Sequence, residues 1–280
     1  MAFRTKNPSA LPASGNGVAW IIRLVPALLD FDDYVDALTA AGHRLAAVGQ
    51  EAGLDARVPP CPAWDVRALV AHQAMVHRWA TAHVSGEDPS AVPSDSALRD
   101  RPDLLDYYGE GLDRLVAALR AAPLDLDALR FLRDAPRARL FWARRQAHET
   151  TIHGVDAVAA GLGRLPTAAD VTISPALAED GIDELLRGFF TRGRSKLELA
   201  SPTTLLVDPD DVRRRWLARI GPGFSVDPDG ADAPAGGADV TITGGSVDIY
   251  LALWNRGDGV TCSDNGRLLT HWREAQRVQW

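Results

Sequence analysis

The sequence predicts a two-domain α+β protein, in which a four-helix bundle precedes a small α+β domain. Three observations point there. Four long stretches before residue 163 carry apolar residues at helical spacing. Gly161-Leu162-Gly163 is a strong helix stop. After Pro166 the chain turns to short β-like runs separated by turns rich in Asp, Pro and Gly. The expected division is a flexible leader at 1–17, the bundle at 18–165 and the α+β domain at 166–280, with the boundary near 163–170.

The first helix is expected from Phe31 to Ala52, where Tyr34, Leu38, Ala41, Leu45 and Val48 recur at helical spacing. The second follows the turn Pro59-Pro60-Cys61-Pro62 and runs from Asp65 to Ser85 on Val66, Leu69, Val70, Ala74, Val76 and Ala80. The third covers Leu104–Ala121 and the fourth Leu140–Ala160. One more helix is expected from Pro175 to Phe190, with Leu177, Ile182, Leu185, Leu186 and Phe189 as its apolar face. Strands are expected at Thr203–Val207, Arg215–Ile220, Phe224–Val226 and Val240–Thr243, with a strong break at Asp227–Asp239. Helical patterns return at Ser246–Trp254 and Asn265–Gln276.

Composition narrows the function classes. A net charge of -7 argues against nucleic-acid binding, which needs a basic surface to release counterions. Lys occurs only at Lys6 and Lys196, so the remaining basic residues are Arg, a bias that fits a GC-rich genome. Two distant cysteines, Cys61 and Cys262, exclude a Cys-based zinc knuckle and make a disulfide framework improbable, which points to a reduced, cytoplasmic setting. The apolar patch Val18–Leu29 is broken by Arg23 and Pro26 and is too short to span a membrane. Oligomeric state is not readable.

The chemistry concentrates in His148-Glu149-Thr150-Thr151-Ile152-His153. This is not a zinc-protease HExxH motif, because its two histidines stand five apart, about 140° around a helix that advances about 100° per residue. Glu149 and His153 stand four apart and share a face. A catalytic zinc takes three protein ligands and leaves one position open, so the third must come from another helix. The second helix offers His72, His77 and His83, and His72 sits among the most apolar neighbours. Against this, a lone His on an apolar face is more often a satisfied core residue, and Glu-x-x-x-His pairs arise by chance on helix surfaces.

Three segments resemble the mycothiol-dependent maleylpyruvate isomerase family. Val58-Pro59-Pro60-Cys61-Pro62-Ala63-Trp64-Asp65 leading to Leu69-Val70-Ala71-His72 is similar to that family's Cys-Pro-x-Trp turn and Leu-x-x-His helix. Glu149 to Asp156 resembles its Glu-x-x-x-His-x-x-Asp. Val240-Thr241-Ile242-Thr243-Gly244 followed by Leu251-Ala252-Leu253-Trp254-Asn255-Arg256 resembles its C-terminal domain. The resemblance implies a DinB-like metal-binding bundle with a sterol-carrier-like α+β domain. It implies zinc on His72, Glu149 and His153, mycothiol as thiol cosubstrate, and a role for Arg256 in binding an anionic substrate or the thiol.

Several residues keep two readings. Arg256 could hold a carboxylate with two hydrogen bonds or simply answer the helix dipole. Trp64 could wall the cofactor pocket or pack a helix start. Asp156 could hold the second nitrogen of His153 or be a surface acid. Cys61 could be a nucleophile at a helix N-terminus; the structural reading is preferred because the family activates an external thiol. His77, His83, His148 and His271 are expected to be exposed or structural. The resulting expectation is an isomerase or thiol S-transferase acting on a small electrophile, with specificity set between the domains. The alternatives are a metal hydrolase using zinc-bound hydroxide and a non-catalytic small-molecule-binding protein.

Overall fold

In the computed structural model, residues 28–132, 135–192, 197, 199–227 and 237–276 are described. The expected leader and nearly all of the apolar patch that follows it lie outside these residues, as does most of the 227–239 break.

Eight helices and five strands are described. The helices are α1 (Phe31–Ala52), α2 (Val66–Ser85), α3 (Asp95–Leu98), α4 (Leu104–Ala121), α5 (Ala138–Leu162), α6 (Pro175–Asp183), α7 (Ser246–Leu253) and α8 (Arg267–Ala275). The strands are β1 (Thr203–Pro209), β2 (Trp216–Ile220), β3 (Phe224–Val226), β4 (Val240–Gly244) and β5 (Thr261–Cys262). The four long helices form where periodicity predicts them. Helix α2 begins after Asp65, whose side chain accepts from Ala68 N at 2.8 Å and so caps the first turn. It ends at Gly86, left-handed at φ 71°.

The bundle is organised around α5. Helix α1 lies along α5, and α2 packs against both α4 and α5. Tyr34, Val35, Leu38 and Leu45 of α1 are fully buried. Gly42 lets Leu112 of α4 reach the α1 backbone, since a Cβ there would collide with the leucine methyls. Helix α5 is buried at every position from Phe141 through Ala159, yet it carries Arg144, Arg145, Gln146, His148, Glu149, Thr150, Thr151, His153 and Asp156 among its buried residues. A helix buried all round is normally apolar all round. Such a polar load inside a core needs partners, and those partners organise the rest of the molecule.

The C-terminal half is a mixed five-stranded sheet in the order β3-β2-β1-β4-β5. Strands β1 and β4 are parallel, with Val207 opposite Ile242, while the other pairs are antiparallel. Helix α6 packs on α7, where Tyr250 fills the space left by Gly181. The expected continuous helix from Pro175 to Phe190 is instead α6 followed by a π turn over Glu184–Phe189. Glu184, the first residue of this turn, pairs with Arg145 of α5. Strand β5 and helix α3 are too short to leave a periodic signal. No helix among the described residues is long and apolar enough to cross a membrane.

Candidate metal centre

The turn before α2 positions the first wall of the site. Val58 N donates to Trp64 O, Cys61 N to Val58 O and Trp64 N to Cys61 O, at 2.8–3.1 Å. This closed turn lays the Trp64 indole against the imidazoles of His72 (ring centroids 4.9 Å apart) and His153 (5.7 Å, stacked). The two imidazoles meet edge-on at 5.1 Å.

His72 comes from the second turn of α2, while Glu149 and His153 come from one face of α5. One ligand-type atom from each of these three residues lies within 4.8 Å of the other two, and all three side chains are buried. His153 Nε2 is 3.2 Å and His72 Nε2 3.7 Å from Glu149 Oε1. Two ligands on a tetrahedral zinc with bonds of about 2.0–2.1 Å sit about 3.4 Å apart, so these two edges bracket the required spacing. His72 Nε2 and Glu149 Oε1 are buried without a hydrogen-bond partner. Orphaned lone pairs of this kind are costly unless something accepts them, and a borderline cation with N and O preference fits.

The outer contacts orient these donors. His153 Nδ1 pairs with Asp156 Oδ2 at 2.9 Å, which turns Nε2 toward Glu149. Asp156 is fully buried rather than a surface acid. Arg256 Nε and Nη2 bind its two carboxylate oxygens at 3.0 and 2.9 Å, and Nη1 donates to Trp254 O at 2.9 Å. Each nitrogen of Arg256 therefore already has a partner, and a substrate carboxylate would have to displace Asp156 to take the bidentate fork. Trp254 is the C-cap of α7, so Arg256 answers that helix end through Nη1 while its Nε and Nη2 hold Asp156. Cys61 does not sit at the start of α2; its Sγ lies 3.4 Å from Arg256 Nη2 and 3.9 Å from Asp156 Oδ2.

Electrostatics follows the same map. Burial alone would raise the Glu149 pKa, but the His153 and His72 imidazoles and the Arg145 guanidinium hold it well below the usual carboxylate range. Burial would lower the His153 pKa, yet the Asp156 and Glu149 carboxylates outweigh it and push it up to about 9. A cation at the site would replace that proton.

The other histidines divide. His77 is fully buried, shares hydrogen bonds with Gln73 and Thr150 at 3.0 and 2.9 Å, and is lowered to about 3 by burial. His148 is fully buried between Asp180 Oδ2 (2.7 Å) and Tyr250 OH (3.1 Å). His83 is half-buried on Trp142, and His271 is exposed. The acids Asp180 and Asp183 of α6 and Glu184 of the π turn after it, which pair with Arg144 and Arg145, were not identified from sequence. Their i, i+3, i+4 spacing opposite a consecutive Arg pair was the available signal.

A model of the mycothiol maleylpyruvate isomerase N-terminal domain matches residues 35–158, and a model of the corresponding C-terminal domain matches residues 176–272. The chain belongs to the mycothiol-dependent maleylpyruvate isomerase family. Its fold is similar to a crystal structure described as the mycothiol-dependent maleylpyruvate isomerase, with a TM-score of 0.58 at 18% identity, covering 85% of this chain and 94% of that one. A structure of a histidine-to-alanine mutant of that isomerase is similar at a TM-score of 0.57 and 16% identity, with the same coverage. No curated protein matches the chain. The Cys61–Trp64 turn and the Glu149 and His153 pair all fall within the N-terminal match.

Proposed function

We propose that this chain is a zinc-dependent, mycothiol-using enzyme, an isomerase or thiol S-transferase acting on a small electrophilic, carboxylate-bearing substrate. The observation that carries it is the convergence of His72, Glu149 and His153 from two helices, with His72 Nε2 and Glu149 Oε1 buried without a hydrogen-bond partner, in a chain of this family.

These three side chains are the proposed ligands, and a fourth position remains for the thiol. Zinc bound there would lower the pKa of a thiol so that it is thiolate at neutral pH. Glu149, held ionised, supplies the negative ligand. Asp156 fixes the ring of His153 and keeps Nδ1 protonated, so that Nε2 presents its lone pair. Arg256 keeps Asp156 ionised and aimed, and its charge adds to the local field that would draw an anionic substrate. Trp64 excludes water from one side of the two imidazoles.

Addition of the thiol to a conjugated double bond, rotation about that bond and loss of the thiol gives isomerisation; retention of the thiol gives S-transfer. Both outcomes use the same residues. The test is incubation of zinc-loaded protein with candidate electrophiles, with and without mycothiol, followed by mass spectrometry. Turnover or adduct formation that requires the thiol supports the reading. Thiol-independent hydrolysis of the same substrates overturns it in favour of a metal hydrolase. Purified protein that takes up no zinc would favour a non-catalytic binding protein.

A further inference from the structure

Glu149 has two carboxylate oxygens, and only Oε1 faces His72 and His153. Oε2 accepts from Arg145 Nη2 at 3.1 Å. The same guanidinium gives Nη1 to Glu184 Oε2, from the π turn that follows α6. The three charged groups are 2%, 0% and 1% exposed, in the order Glu149, Arg145 and Glu184. The rings of Phe189 and Trp254 lie 5.1 and 5.6 Å from the Arg145 guanidinium carbon, so the C-terminal half closes over it.

An arginine beside a carboxylate that must bind a divalent cation is unfavourable by itself, because it repels the cation and weakens the carboxylate as a donor. Glu184 changes that balance. Glu149, Arg145 and Glu184 together carry one net negative charge, whereas Glu149 and Arg145 alone carry none. Occupying Oε2 also leaves Glu149 a single oxygen for the site. A neighbouring pair provides a contrast. Arg144 Nε binds Asp180 Oδ2 at 2.8 Å between the same two helices, but neither residue is bonded to Glu149.

We infer that Glu184, acting through Arg145, is a positioning residue that fixes Glu149 as a one-oxygen metal ligand and makes metal affinity depend on the seating of the α6 segment against the bundle. The inference rests on the proposed three-ligand reading. It assigns a role in the site to two residues outside the ligand set and to a helix in the other half of the chain.

The test is zinc affinity of the full chain by competition with a chromogenic chelator, together with the visible spectrum of the cobalt-substituted protein. Glu184→Gln keeps the shape and removes the charge. It should weaken zinc binding about 10- to 100-fold, as loss of an outer partner of a ligand typically does, and change the cobalt spectrum. Asp180→Asn removes a buried charge from the same segment and should leave both readouts near wild type. Arg145→Lys, which keeps the charge and loses the fork, should behave like Glu184→Gln, and it decides the matter if Glu184→Gln does not fold. Wild-type affinity and spectrum in these variants would overturn the inference while leaving the three-ligand reading intact. An equal loss in Asp180→Asn and Glu184→Gln would also overturn it, by showing a general packing effect. Wild-type protein that binds neither zinc nor cobalt would overturn the three-ligand reading itself.

Discussion

His148 and His153 sit five residues apart on one buried helix, each beside a buried carboxylate, and their surroundings differ in one respect. Both ring nitrogens of His148 are satisfied, by Asp180 and by Tyr250. Only one nitrogen of His153 is anchored, by Asp156, and the other turns toward Glu149 and His72, which themselves hold orphaned donor atoms. A polar cluster whose valences close upon itself holds a fold together. A cluster whose ligand-type atoms converge on one point is suited to holding a cation. Both histidines are buried, so what separates them is whether the second ring nitrogen closes on a hydrogen-bond partner or turns toward other ligand-type atoms.

Substitution should separate the two regions most sharply. Replacing both His72 and His153 by Ala is expected to abolish zinc binding, measured by metal analysis of purified protein, while circular dichroism remains that of a folded helical protein. If the double variant keeps stoichiometric zinc, the ligand assignment is wrong.

Asp180→Ala should act in the opposite way. It leaves Arg144 and His148 buried without their shared carboxylate, and breaking a buried pair costs about 3–5 kcal/mol. Denaturant unfolding should show that loss, while the folded fraction still takes up zinc. A variant as stable as wild type would mean that this second cluster is not the structural one.

Asp156→Asn tests the anchor between the two. It keeps size and loses the charge that fixes His153, so zinc affinity should fall about 10- to 100-fold, with wild-type affinity as the contrary result.

The smallest effect concerns pH. Burial lowers His77 to about 3, below the unfolded value of about 6.5. The unfolded chain therefore takes up the proton first, and stability is lost as pH falls through 6.5 toward 3. Between pH 7 and 5 wild type should lose about 2 kcal/mol more than His77→Asn. Identical pH dependence of the two proteins in chemical denaturation would show that His77 is not held neutral.

The long helices were legible because their apolar residues keep a 3.6-residue period and their ends carry Asp65 or glycine signals. The separation of His148 from His153 was legible for the same reason, since five residues turn a helix onto another face. Arg144, Arg145, Asp180 and Glu184 were not. Charged residues in a helix read as a solvated face, and only the tertiary fit of α6 on α5 buries these four against one another. The π turn at Glu184 was equally hidden, because its apolar residues Leu185, Leu186 and Phe189 also fit an ordinary helix. Arg256 was found from its motif, but its partner was not, since Asp156 lies 100 residues earlier in the chain.

The account stands most directly on what surrounds a bound zinc ion. X-ray absorption at the zinc edge of the loaded protein should show only nitrogen and oxygen neighbours at about 2.0–2.2 Å, with one sulfur near 2.3 Å appearing on addition of mycothiol. A sulfur neighbour before thiol is added, or a shell that thiol leaves unchanged, would contradict it.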